Sequence, residues 1–152
     1  MFRGINSITI DPKGRVAIPA RYREQIRQGR TYDLVATIDT ESPCLLLYPT
    51  SEWELIEAKL QQLSSFNPAT RRIQRLLLGH ATELEMDNTG RVLLPPLLRD
   101  YASLDKKVIL LGQGRKFELW DETVWEEQRE RWLLEERNKM GEVPEELQHI
   151  AL

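Results

Sequence analysis

Two short stretches carry the side chains best suited to meet a ligand: Asp11-Pro12-Lys13-Gly14-Arg15 and Asp87-Asn88-Thr89-Gly90-Arg91. Each sets a carboxylate, a glycine and an arginine at the same spacing. Matched residues lie the same 76 positions apart, 11 to 87, 14 to 90 and 15 to 91. Two chemistries could use such a pair. Aspartates on repeat-related loops can share a proton, as in an acid-protease dyad, but one carboxyl pKa must then rise. An arginine four residues along each loop pushes both pKa values down instead, and the glycine stands third after the aspartate rather than second. The other chemistry is contact with phosphates and base edges. Lys13 beside Arg15 on a projecting loop suits it. The plain structural reading has Arg15 and Arg91 simply pairing with Asp11 and Asp87. Exposed pairs of that kind contribute ~0–1 kcal/mol, a weak reason to place an arginine there. The aspartates themselves read as turn formers. Asp accepts from amides two or three residues ahead and Gly takes φ > 0 at no steric cost, so Asp11, Gly14, Asp87 and Gly90 are assigned to turns.

The loops sit inside a longer repeat. Ile8 to Arg23, ITIDPKGRVAIPARYR, is echoed without a gap by Leu84 to Arg99, LEMDNTGRVLLPPLLR, and Val16, Pro19 and Arg23 return as Val92, Pro95 and Arg99. Internal repeats decide the organisation of a chain. Ile8 and Ile10 flank Thr9, Leu84 and Met86 flank Glu85, and Val16 and Ile18 match Val92 and Leu94, a period of two that predicts half-buried strands. Each copy is thus a strand, a tight turn and a strand. Pro19 and Pro95 end the second strand, and short helices follow at Ala20 to Ile26 and Pro96 to Tyr101. Leu34 to Ile38 is answered by Val108 to Leu111, and Cys44 to Tyr48 by Lys116 to Trp120. Each half then has about four strands and one short helix. A lone unit of about 45 residues has little core, so the halves should complete each other as a pseudo-dimer.

Helical signals follow each half. Ser51 and Glu54 have capping-box spacing, with Trp53, Ile56, Leu60 and Leu63 on one face. Asn67-Pro68 starts a second helix, striped by Ile73, Leu76, Leu77 and His80 and ended by Gly79. Arg71, Arg72 and Arg75 fall on its other faces, either as a solvated surface or lining an interface with the acidic C-terminal helix. Asp121 caps a long helix with Trp125, Trp132 and Leu133 on one side, and 142–152 reads as a loose end. The domains are a first repeat at 5–52, linking helices at 53–80, a second repeat at 81–124, and a C-terminal helix and tail at 125–152.

Charge is uneven along the chain. The formal net charge is −3, but the first thirty residues carry Arg3, Lys13, Arg15, Arg21, Arg23, Arg27 and Arg30 against Asp11 and Glu24. Acids prevail from Glu118 onward. That predicts a basic face at one end and an acidic tail elsewhere. No apolar run approaches the roughly 20 residues of a membrane span, and MFRGINS holds no signal-peptide core, so a cytoplasmic protein is expected. Cys44, the single cysteine, reads as strand core rather than nucleophile. His80 and His149 have no ligand spacing, so no metal site is assigned. Trp53, Trp125 and Trp132 have core spacing rather than a stacking arrangement.

MFRG, D-P-K-G-R-V-A-I-P-A-R-Y-R, T-R-R-I-Q-R-L-L-L-G, D-N-T-G-R-V-L-L-P-P-L-L-R and K-F-E-L-W-D together resemble the MraZ family, bacterial transcriptional regulators from the head of the division and cell-wall gene cluster. The resemblance runs to about Trp125 and is thin beyond it. It implies a mainly β fold with flanking helices, in which two tandem AbrB/SpoVT-like swapped-hairpin repeats form one intramolecular barrel. It also implies a ring-shaped homo-oligomer, usually an octamer, and a nucleoid-associated protein. That ring would bind double-stranded DNA at short G-rich direct repeats in the cluster promoter, its own gene included. No catalysis and no cofactor are implied. The DNA-binding set is then Arg3, Lys13, Arg15, Arg21 and Arg91. Thr89 stands where Lys13 would recur, so the first repeat is expected to be the main reader and the second mainly to build the ring. The rival is a non-catalytic ring acting as a structural or adaptor protein through its acidic face.

Overall fold

The repeated sequence builds repeated elements. In a computed structural model describing residues 1–138 and 143–150, the first half forms β1 (Phe2–Thr9), β2 (Arg15–Ala17), α1 (Ala20–Ile26), β3 (Leu34–Ile38) and β4 (Leu45–Pro49). Two linking helices follow, α2 (Thr50–Gln62) and α3 (Pro68–His80). The second half repeats the order as β5 (Thr82–Leu84), β6 (Arg91–Leu93), α4 (Pro96–Tyr101), β7 (Lys107–Gly114) and β8 (Lys116–Asp121). Both short helices lie where the sequence places them, opened by Pro19 and Pro95. Then come α5 (Glu122–Arg137) and α6 (Glu145–Gln148). The fold is mainly β with flanking helices. Met1–Glu122 forms one unit and Thr123–Leu152 another.

In the first unit the halves exchange strands. Six strands pair in the order β1-β7-β8-β4-β3-β5, and β2 pairs with β6. The first strand of each half therefore lies antiparallel to the third strand of the other, β1 on β7 and β5 on β3. Exchange of the two halves maps this order onto itself, which is the pseudo-dimer expected of half-units too small to hold a core. The sequence read each copy as strand, turn and strand. The flanking strands do not pair with each other, however, because each finds its partner in the opposite repeat. β1 and β5 end the row without pairing to one another, so the hydrogen-bonded strands form an open sheet.

The main core takes Val16, Ile18, Tyr22 and Ile26 from one repeat and Val92, Leu94, Leu98 and Ala102 from the other, around Leu34, Leu45, Leu110, Phe117 and Leu119. β3 and β4 are buried along their whole length because they are covered on both faces. Ala36 and Leu47 face the main core, while Val35, Leu46 and Tyr48 meet Trp53 and Leu60 of α2. Such doubly covered strands read as continuous apolar runs.

Three helix-end assignments need correction. Ser51 does not cap α2: the helix starts one residue earlier, at Thr50 after Pro49, with no side-chain cap. The Thr50 hydroxyl instead donates to the Tyr32 carbonyl at 2.8 Å. Leu63 is the C-cap residue with extended backbone and is exposed, so it leaves the apolar stripe. Gly79 does not end α3, which runs to His80 and is capped by Ala81. Asn67 does cap α3, accepting from the Ala69 amide at 2.9 Å, an arrangement that typically contributes ~1 kcal/mol. In the second unit Trp125 and Trp132 pack edge to face with ring centroids 6.0 Å apart. Glu126, Glu127 and Glu130 are exposed. Of the loose end expected at 142–152, 145–148 is helical; Glu142, Ala151 and Leu152 lie outside the described residues.

Candidate nucleic-acid interface

Each Asp-x-x-Gly-Arg stretch folds as a turn closed by its own aspartate. In the first, the Gly14 amide donates to the Asp11 carbonyl and the Asp11 amide to the Arg15 carbonyl, both at 2.9 Å. The amides of Lys13 and Arg15 both donate to Asp11 Oδ1 at 2.9 Å. In the second, the Gly90 amide donates to the Asp87 carbonyl at 3.0 Å, and the amides of Thr89 and Arg91 donate to Asp87 Oδ1 at 2.9 Å. Gly14 and Gly90 have φ of +90° and +79°, the region that favours glycine. Asp11, Gly14, Asp87 and Gly90 thus all sit in these turns.

The aspartates also hold the arginines. Arg15 Nε donates to Asp11 Oδ2 at 2.8 Å, and Arg91 Nε to Asp87 Oδ2 at 2.9 Å. So the pairing weighed against DNA contact is present, and it spends only Nε. Among the described residues the terminal nitrogens of both guanidinium groups have no protein partner. Those nitrogens form the planar fork that can bond guanine O6 and N7 together. As a stability device the half-buried, solvent-accessible pair is weak, but as an aiming device it fixes the arginine stem.

The same bonds set the electrostatics. Hydrogen bonds from the Arg15 amide first, then from its guanidinium and the Lys13 amide, hold the Asp11 carboxyl below the usual carboxylate range. Asp87 is held lower still, by the Arg91 amide first and then by the Thr89 hydroxyl and amide. Neither carboxyl has the raised pKa that shared-proton catalysis needs.

The two turns emerge side by side. β2 and β6 pair Arg15 with Leu93 and Ala17 with Arg91, so the arginines are diagonal neighbours, roughly 7–8 Å apart along the ladder. Strand alternation puts both on the outer face, with Val16 and Val92 buried beneath. Lys13 is exposed at the tip of the first turn, and Thr89 in the second is exposed as well.

Arg3 and Arg21 are placed elsewhere. Arg3 pairs with Gln113 toward the start of β1, six residues from Thr9 and hence about 20 Å along the strand at ~3.3 Å per residue. Arg21 stacks over the Tyr22 ring, 4.7 Å from its centroid, and donates to Tyr22 Oη at 2.8 Å and to Asn6 Oδ1. The Tyr22 hydroxyl in turn donates to the Arg3 carbonyl at 2.6 Å. Three arginines that the sequence did not assign do reach the turns. Arg99 lies against Gly14 and Arg23 against Gly90, and Arg27 donates to the Asp87 carbonyl at 2.8 Å. The signal available for the first two was their own place in the repeat, Arg23 matching Arg99.

Asp39, Cys44 and Glu118 bring ligand-type atoms within 4.8 Å of one another, a grouping that spacing did not reveal. Their bonds are local: Asp39 accepts the Glu41 amide at 2.8 Å and the Cys44 thiol at 3.7 Å, and Glu118 accepts the Trp120 indole N–H at 3.0 Å. Burial first, then Glu118 and Asp39, push the Cys44 thiol far up, which keeps it protonated and unreactive. Among the described residues no helix is long and apolar enough to cross a membrane.

The chain matches a family model twice, at residues 1–76 and 77–141, the model being that of the MraZ protein, described as antitoxin-like. Its relatives include proteins named Transcriptional regulator MraZ. Those of Coxiella burnetii and Legionella pneumophila are each 57% identical over all 152 residues and the whole of both chains. That of Erwinia tasmaniensis is 55% identical over the same span. With the doubled turn, the exchanged strands and these full-length matches together, the chain belongs to the MraZ family.

Proposed function

We propose that this chain is a sequence-specific DNA-binding transcriptional regulator, with the paired turns as its reading surface. The carrying observation is that each turn aspartate fixes its arginine by Nε and leaves the terminal nitrogens without a protein partner among the described residues, twice on one two-stranded ribbon. Arg15 and Arg91 read base edges, guanine by preference. Lys13 contacts phosphate, and Arg3 and Arg21 add cations outside the turns. The target that fits a guanine reader used in multiples is a set of short G-rich direct repeats. By family likeness these lie in the promoter of the division and cell-wall gene cluster, including the chain's own gene, and the protein works at the nucleoid. The role needs no catalysis and no cofactor.

One chain offers few cations, so useful affinity requires several chains on spaced repeats. A ring-shaped homo-oligomer, octameric by family likeness, supplies them. Within each chain the repeats at 5–52 and 81–124 form one barrel by wrapping the open sheet and the β2–β6 ribbon around the core they share, joined by 53–80 and followed by the helix and tail at 125–152. The main core, drawn from both repeats, supports that packing. The test is binding to duplex DNA from upstream of the chain's own gene, carrying one repeat or two, across a range of salt, with mass measured by sedimentation. The expected results are an oligomer, tighter binding to two repeats, and affinity that falls steeply with salt. A stable monomer with equal affinity for both DNAs would overturn the proposal.

A further inference from the structure

Arg23 and Arg99 belong to one repeat by sequence and serve the other in space. Arg23 Nε donates to the carbonyl of Ile18 at 2.8 Å, and Arg99 Nε to that of Leu94 at 3.0 Å. Those residues in turn hold the opposite turns: the Ile18 amide donates to the Gly90 carbonyl and the Leu94 amide to the Gly14 carbonyl, both at 2.9 Å. Each guanidinium then lies against the glycine of the turn so held. A Cβ added to Gly90 would fall 2.1 Å from Arg23 Nε and 2.4 Å from its Cζ. One added to Gly14 would fall 2.9 Å and 2.8 Å from the same atoms of Arg99. A Cβ at either glycine would have to displace the arginine packed against it, so the turn glycines serve an approach as well as a backbone angle. Each arginine thus closes a small circuit running from the turn carbonyl to a strand-end amide, through that residue's carbonyl to Nε, and back onto the glycine.

We infer that Arg99 positions the turn that aims Arg15, and that Arg23 positions the turn that aims Arg91, so each reading turn is a composite of both repeats. The inference rests on the proposed reading surface for its functional meaning but not for its geometry. It also alters the charge comparison between the turns. The first holds Lys13, Arg15 and Arg99. The second holds Arg91, Arg23 and Arg27, three cations that a count along its own repeat reduces to one. A guanidinium does what an ammonium cannot, bonding a carbonyl through Nε while its remaining atoms lie against a glycine.

Amide hydrogen exchange on the full chain without DNA tests the positioning directly. Arg99→Ala should speed exchange at Lys13, Gly14 and Arg15 about tenfold, the scale of losing one charge-assisted bond, and leave Thr89, Gly90 and Arg91 unchanged. Arg23→Ala should do the reverse. Arg99→Lys should resemble Arg99→Ala, since charge alone does not hold the turn. Equal acceleration at both turns, or acceleration confined to each arginine's own repeat, would overturn the inference. If exchange is too fast to resolve, amide chemical shifts of the same six residues give the same comparison. Binding adds a second reading: Arg99→Ala should be non-additive with Arg15→Ala and additive with Arg91→Ala. Should Arg15→Ala leave DNA binding intact, the reading surface is wrong, while the exchange result still decides the positioning.

Discussion

The turn at Asp11–Arg15 and the turn at Asp87–Arg91 hold their arginines with the same bonds and differ in what fills the position before the glycine. Thr89 turns its hydroxyl inward and donates to Asp87 Oδ1 at 2.8 Å. Lys13 offers the aspartate only its backbone amide and leaves its ammonium exposed. The second turn also takes the Arg27 bond to the Asp87 carbonyl. Its repeat partner would be residue 103, a serine with φ of +51°. One scaffold is thus used twice with different emphasis. The first turn keeps a cation free for a ligand, and the second puts more of its polar groups into its own geometry.

That contrast predicts unequal losses. Arg15→Ala should remove promoter binding at ordinary concentrations, because ~1–3 kcal/mol per guanine contact multiplies over several chains. Arg91→Ala should weaken binding less, since its turn lacks the free lysine, yet by more than a charge count within the repeats implies. Affinities of both variants on the same DNA, with sedimentation to confirm the oligomer, measure the gap. Equal losses with oligomers intact would remove the distinction between the turns.

The glycines come next in size. Gly90→Ala and Gly14→Ala each force a side chain into positive φ, which costs ~1–3 kcal/mol. Gly90→Ala should be the more damaging, its Cβ meeting Arg23 at 2.1 Å against 2.8 Å for the nearest Arg99 atom at Gly14. Urea midpoints give the order, and a milder Gly90→Ala would contradict it.

Lys13→Ala should act on all sequences alike and reduce the salt dependence by about one ion per contact. Thr89→Ala should leave that slope alone. A specific loss with an unchanged slope for Lys13→Ala would make Lys13 a base reader.

The smallest effect is in acid. Both carboxyls are depressed in the folded state, so their contribution is complete above the usual value of about 3.9 and is lost only as pH falls through the lower folded values. Asp87 should protonate at lower pH than Asp11 because of the Thr89 hydroxyl, and Thr89→Ala should raise Asp87 toward Asp11. Carboxyl NMR titration reads both values. Asp11 titrating below Asp87 would contradict this ordering.

Much of this was legible in the chain because local chemistry decides it. Pro19 and Pro95 open short helices, Asn67 caps α3, and Asp and Gly make turns wherever they stand at that spacing. What failed depended on neighbours distant in sequence. Ser51 lost the cap because Thr50 had a partner at Tyr32 and joined the helix first. Gly79 has no positive φ and stayed inside α3, whose Leu77 and Leu78 pack against the Val35 cluster. Arg23 stands eight residues from Arg15 in sequence and so reads as part of the first turn's surroundings. Strand exchange carries it to Gly90, and a count of charges along the chain assigns it to the wrong turn.

Arg15 is proposed to read bases as well as to pair with Asp11. Binding curves for Arg15→Ala on promoter DNA and on a scrambled duplex of equal length, over a range of salt, test it most directly. Promoter affinity should fall to the level of scrambled DNA while scrambled binding changes little. A fall by the same factor on both DNAs would make Arg15 a phosphate contact and contradict the claim.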